Sequence, residues 1–186
     1  MTDIENIPEM PKISVKVQKT KYKKQKLIKL GNIAGKTKKF DQDLFDKYDG
    51  DARNIIKDKL TDLVCDNHDK FGEDLIFKCG DLPYKFIEVQ VCSTWEDKLF
   101  PYRFPYVFAR KMRFSDDTLF ITFNKTFTEA LMFSKKVIST VPVRLKKYDR
   151  EMIHYVPWSR VLRIDVDQLN LNNIKIYAGV LINEDD

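Results

Sequence analysis

Cysteine, histidine and glycine are scarce in this sequence, with 3, 2 and 6 copies among 186 residues. Cys65, Cys79 and Cys92 are odd in number and show no Cys-x-x-Cys spacing, which argues against a disulfide framework and against a zinc knuckle. Cys79 and Cys92 could meet across a hairpin, but reduced thiols are the expected state. His68 lies in a polar turn and His154 in an apolar run, so neither invites a nucleophile–base pairing. The glycines form neither Gly-x-Gly-x-x-Gly nor Gly-x-x-x-x-Gly-Lys-Ser/Thr, so a phosphate-cradling loop lacks support. Ser93 lacks the flanking glycines of a nucleophile elbow. No apolar run approaches the roughly 18 residues that span a bilayer. The start, Met1 to Pro8, has neither the basic nor the apolar part of a signal peptide. An intracellular protein without a membrane partner is expected.

What is present is core-forming material and charge. The chain is 43% hydrophobic and 12% aromatic, which suits one folded domain despite 33% charged residues. The net charge of +5 is unevenly spread. Residues 1–40 hold eleven lysines against three acids, and residues 41–186 hold 22 basic and 25 acidic residues. We therefore divide the chain into a basic N-terminal segment, 1–40, and a near-neutral domain, 41–186. Lys19, Lys21, Lys23, Lys24 and Lys26 would release counterions from a polyanion and bind it without reading sequence. The same run also reads as a solvated face or tail. Ile13, Val15 and Val17 alternate with polar residues, so part of the segment could pair as an edge strand. The abundance of Lys, Asn and Ile suits an AT-rich genome, such as some large DNA viruses have.

Hydrophobic periodicity predicts a helix over Asp41–Cys65, interrupted at Gly50, with Asp51 as cap of its second part. Strands follow over Gly72–Lys78 and around Phe86–Val91, joined as a hairpin by Gly80-Asp-Leu-Pro83. A proline-broken aromatic loop at 100–106 precedes one or two helical turns over Val107–Phe114. Thr118–Phe123 reads as a strand, Phe127–Ile138 as a helix, and Arg150–Val156 and Val161–Val166 as strands. The order predicts a mixed-sheet α/β or α+β core.

One strand is odd. In Tyr84-Lys-Phe-Ile-Glu-Val-Gln-Val-Cys-Ser-Thr-Trp95 an acid and an amide, Glu88 and Gln90, lie two apart inside an apolar run and share a face. Solvent on a one-sided antiparallel sheet would account for that. So would a site. Asp74, on the preceding strand, can meet Glu88 at one end of the hairpin, and two carboxylates with a main-chain carbonyl suffice for Mg²⁺ beside a phosphate. Gln90 could hold the attacking water, and Arg110, Lys111 or Arg113 could supply positive charge.

Asp74, thirteen intervening residues, then Glu88-Val89-Gln90, with a helix before and strand–helix–strand after, resembles the PD-(D/E)XK nuclease superfamily. The likeness covers roughly residues 50–160. It implies a restriction-endonuclease-like αβββαβ core and Mg²⁺- or Mn²⁺-dependent hydrolysis of DNA, with RNA as an open alternative. Asp74 and Glu88 would be the ligands, the carbonyl of Val89 would complete the shell, and Gln90 takes the position usually held by Lys. Lys111 is then the candidate basic residue recruited from nearby, and Asp51 or Asp58 could supply an acid from the first helix. Glu73 stands where many members have Pro. The implied location is wherever the DNA is, cytoplasm or nucleus, and cutting both strands would suit a homodimer. The competing expectation is a catalytically inactive nucleic-acid-binding or scaffolding protein on the same fold, using the lysine-rich segment. A protein-interaction domain is the more remote one.

Overall fold

The computed structural model describes residues 42–69, 71–96, 99–144 and 151–184. The basic segment with Lys19, Lys21, Lys23, Lys24 and Lys26 lies outside the described residues.

Helix α1 (Gln42–Lys59) runs unbroken through Gly50. Ala52, Ile56 and Leu60 recur every four residues and are almost fully buried, giving one apolar stripe. A glycine inside a helix costs about 1 kcal/mol relative to alanine. Burial of that stripe outweighs the cost, so the expected interruption and the cap at Asp51 are not found. Nine strands follow among the described residues: β1 (Val64–Asp66), β2 (Leu75–Phe77), β3 (Phe86–Cys92), β4 (Tyr106–Phe108), β5 (Thr118–Asn124), β6 (Glu129–Ser134), β7 (Pro142–Arg144), β8 (Met152–Tyr155) and β9 (Leu162–Asp165). Helix α2 (Leu171–Glu184) comes last.

Six strands make the main sheet in the order β1-β2-β3-β5-β6-β9, and β4-β8-β7 make a small second sheet. In the main sheet β3 and β5 pair in parallel and the other neighbours pair antiparallel. The protein is thus an α+β fold on a mixed sheet. Alternation decides which side chains face which layer. Ile87, Val89, Leu119, Ile121, Ala130 and Met132 pack with α1 and with Ile174, Tyr177 and Ala178 of α2. On the other face Phe120 and Phe133 stack, 5.5 Å between centroids, under Val107 of the second sheet and Val156 just after β8. Trp95, Tyr102 and Leu131 continue that face, with Phe100 and Trp158 against them. Glu88 and Gln90 belong to this second face, since Glu88 pairs with Phe120 and Gln90 with Thr122.

Half of the segment read as a helix, Phe127–Ile138, is strand β6, and a 3₁₀ turn, Lys135–Val137, follows it. Ala130, Leu131, Met132 and Phe133 are all buried because both faces of β6 are covered. A strand covered on both faces loses its alternation and cannot be told from a buried helix by periodicity. The turn before it is fixed by Asn124, whose Oδ1 accepts from the N–H groups of Thr128 (2.9 Å) and Glu129 (3.1 Å). Phe127 sits there at φ 56. The helix expected after the third core strand of the αβββαβ order is therefore missing. The connection from β3 to β5 runs through the aromatic loop, β4 and a 3₁₀ turn, Ala109–Arg113. The three cysteines are free thiols.

Helix α2 is tied to the sheet by one hydroxyl. Tyr177 Oη accepts from the N–H of Ser134 (3.1 Å) and donates to the carbonyl of Arg160 (2.8 Å). Burial pushes the ionisation of this phenol well above its ordinary range. Tyr177→Phe leaves the Ser134 N–H without that acceptor in the interior. We expect it to destabilise the fold by about 1–3 kcal/mol, read as a lower urea midpoint at unchanged slope.

Candidate active site

The site begins where a ladder stops. β2 and β3 pair with Leu75 opposite Ile87 and Ile76 opposite Phe86, and the N–H of Phe77 donates to the carbonyl of Lys85 (2.9 Å). Hydrogen-bonded pairs alternate along an antiparallel ladder. The next step would bring the N–H of Val89 to the carbonyl of Glu73. Instead, Val89 N–H donates to Asp74 Oδ2 at 2.8 Å. The chain before β2 has turned away. Glu73 Oε1, buried, accepts from the N–H of Ser115 and the hydroxyl of Thr118, each at 2.9 Å. The N–H of Asn67 donates to the Asp74 carbonyl at 3.0 Å.

The same register, carried one residue past Leu75, sets Asp74 opposite Glu88, the position at which cross-strand side chains meet on one face. The carboxyls do meet. Asp74 acts on Glu88 both as a nearby charge and as a hydrogen-bond partner. A strand residue sends its N–H and C=O to the same edge, so the carbonyl of Val89 leaves toward Asp74 as well.

Glu88 is only 4% exposed. Its carboxyl is pushed up to about 8, first by burial and then by the Asp74 charge, against the opposing pull of Lys111. Lys111, from the 3₁₀ turn after β4, is ion-paired through Nζ to Glu88 Oε1. Gln90 follows on the same face, and its Oε1 is buried with no hydrogen-bond partner among the described residues. A buried carbonyl oxygen left so forfeits on the order of 1–3 kcal/mol.

Four of the residues singled out in the sequence, Asp74, Glu88, Val89 and Lys111, come together here, with Gln90 beside them on β3. The two arginines do not converge on the carboxyls. Arg110 pairs with Glu151 (3.2 Å) and lies over the Phe108 ring, while Arg113 donates to the carbonyl of Phe71 (2.9 Å). Asp51 and Asp58 are exposed on α1, which packs against the opposite face of the sheet, so neither supplies an acid from the first helix. His68 is exposed, and His154 Nδ1 lies 2.7 Å from the carbonyl of Ser139 in the second sheet. Glu73 is the participant that sequence reasoning passed over except as a missing proline. It clamps the turn that carries Ser115 and Thr118, and an acid next to Asp74 was its only signal.

Among the described residues no group of three or more His, Cys, Asp and Glu side chains gathers as metal ligands. The donors that do gather are hard oxygens: two carboxyls, one of them held by an N–H, and a main-chain carbonyl on the same edge. That set fits an ion such as Mg²⁺ or Mn²⁺, which keeps several waters, and does not fit zinc. No helix among the described residues is long and apolar enough to cross a membrane. No protein-family model, curated protein or solved structure matches the chain.

A buried carboxyl titrating near 8 also sets how stability responds to pH. From about 4.5, where the group ionises in the unfolded chain, up to about 8, the folded protein holds a proton that the unfolded one has lost. Stability must fall as pH rises through that window. Glu88→Gln removes the titrating group, so its urea midpoint should change less between pH 5 and pH 8.5 than that of the native protein. An equal or steeper decline in the variant would refute the assignment.

Proposed function

We propose that this protein is a divalent-cation-dependent nuclease, hydrolysing DNA phosphodiester bonds on a plan akin to the PD-(D/E)XK superfamily. The observation that carries the reading is the meeting of Asp74 and Glu88 where the β2–β3 ladder ends, with Lys111 on the buried acid. Two facing acids in a partly dry site are costly to a fold. They become favourable when an ion of opposite charge sits between them.

Asp74, Glu88 and the Val89 carbonyl would hold that ion. A bound Mg²⁺ or Mn²⁺ supplies a more acidic water and neutralises charge developing on the phosphate. Gln90, whose amide oxygen has no partner among the described residues, positions the water nucleophile by accepting one of its hydrogens. Lys111 faces the phosphate once Glu88 turns to the cation, and there stabilises the added negative charge. Arg110 and Arg113, exposed on the same segment, and the lysines Lys19, Lys21, Lys23, Lys24 and Lys26 hold the backbone without reading bases. Cutting both strands would call for two copies of the site, as in a homodimer.

A second reading is a binding module that has lost catalysis. It is favoured by the neutral Gln90 in the place of a lysine and by the engagement of Lys111 with Glu88. One experiment separates the two. Supercoiled plasmid, linear duplex and single-stranded DNA are incubated with the protein and Mg²⁺ or Mn²⁺. Under the nuclease reading Asp74→Ala and Glu88→Ala abolish cleavage, and Lys111→Met slows it by roughly 10²–10³-fold, with DNA binding retained. Salt-sensitive binding without cleavage by the native protein would instead establish the binding module.

A further inference from the structure

We infer that the hollow beside the carboxyl pair receives one unstacked nucleobase, which makes the preferred substrate a single or locally opened strand. The inference rests on the nuclease reading for what lies next door, and on its own residues for what enters. The hollow is open and about 320 Å³, with the rings of Phe71, Phe86 and Phe114 among its walls and Arg113 and Glu73 beside them. Three aromatic residues among four with polar side chains, Asp69, Glu73, Arg113 and Ser115, suit a small planar ligand with polar edges.

Phe71 is the unusual member. It is 78% exposed, although the backbone on both sides of it is fastened. Its N–H donates to Asp69 Oδ1 (2.9 Å), and its carbonyl accepts from Arg113 Nη2 (2.9 Å). The N–H of Gly72 donates to the carbonyl of Asp69 (3.1 Å). A Cβ on Gly72 would fall 2.8 Å from Asn67 Nδ2 and 3.3 Å from Asp69 Cβ, so the loop packs closely on these two side chains. An aromatic ring held out to water on a fastened loop gains nothing for the fold. It gains when another flat ring stacks on it.

Charge and position say which flat ring. Lys85 Nζ lies 5.3 Å from the centroid of Phe86, and the Arg113 guanidinium 5.7 Å from that of Phe114. Of the lining residues Arg113 is the cation that can meet an attached phosphate, and the two acids, Asp69 and Glu73, are engaged by the N–H of Phe71 and by Ser115 and Thr118. Phe86 precedes Glu88 by two residues on one face of β3, and Gly72 precedes Asp74 by two. A two-residue step along a strand is roughly 7 Å, so the hollow adjoins the place where the scissile phosphate would lie. A base inside an intact duplex cannot reach it without being unstacked, and a single strand has least to lose by doing so.

The test uses the full-length protein and a single-stranded oligonucleotide of about 12 nucleotides, beside its duplex, in EDTA so that nothing is cut. Phe71→Ala should weaken single-strand binding roughly tenfold and leave duplex binding unchanged, while Phe71→Trp should preserve single-strand affinity. Because Phe71 is exposed, both variants should keep the native melting temperature. Unchanged single-strand affinity in Phe71→Ala overturns the subsite, even if the native protein cleaves DNA. Phe71-dependent single-strand binding by a protein that never cleaves sustains the subsite and removes the nuclease reading.

Discussion

Everything at the site follows from one hydrogen bond, the N–H of Val89 to the carboxyl of Asp74. A central strand must satisfy its main-chain donors on both edges. On the β5 side the alternate residues of β3, Glu88 and Gln90 among them, are served by a long parallel pairing, Phe86 to Cys92 against Thr118 to Asn124. On the β2 side the ladder is short, and a side chain does what a carbonyl would have done. That substitution lets the chain before Leu75 leave the sheet, so Glu73 can reach Ser115 and Thr118. It also pins one oxygen of Asp74 and leaves the acid facing Glu88. An unbroken ladder would have sealed that edge with backbone.

Pinning Asp74 there has an electrostatic consequence. Glu88 cannot ionise freely with burial and a neighbouring carboxyl against it, and Lys111 offsets only part of that burden. The result is a site that holds a proton where an active one would hold a metal ion. Proton and ion compete for the same oxygens, which is the ordinary linkage between ligand protonation and metal affinity. Gln90 matters in this setting because it is neutral. A lysine at position 90 would add a second cation beside Glu88 and favour its charged form. With glutamine there, the positive charge brought onto Glu88 among the described residues is delivered by Lys111, from another element.

How much of this could be read in the sequence depended on how local the signal was. Asp74 and Glu88 were legible because a hairpin with a short turn fixes register over a few residues, and polar positions two apart in an apolar strand betray a face. Lys111 could be named only as a basic residue from the following segment. The turn that carries it was read at Val107–Phe114, but the contact that makes it matter reaches back to another strand, which no local pattern announces. β6 was misread for a physical reason. Burial on both faces erased the alternation, and the strongest turn signal, Asn124 with its two main-chain bonds, is one residue type acting at short range. α1 survived its glycine because its stripe is deep. Of the small second sheet only β8, within Arg150–Val156, was read as a strand; β4 and β7 were missed because three-residue strands carry too little pattern, and α2 because it is recruited by tertiary contacts such as the Tyr177 hydroxyl.

The parallel pairing of β3 with β5 ties the fold to the site. Parallel neighbours must be joined by a crossover that returns over one face of the sheet. Here α1 and α2 occupy one face, so the crossover has the other, the face of Glu88 and Gln90. It crosses as extended chain, a short strand and a 3₁₀ turn rather than as a helix. Its polar positions are therefore not confined to one outward stripe, and Lys111 can point inward to Glu88 while Arg113 reaches Phe71. A long α-helix in that place would bury an apolar stripe on Phe120 and Phe133 and turn its cations to solvent. The absence of a long helix from this crossover and the arrival of a cation at a buried acid are thus one structural event.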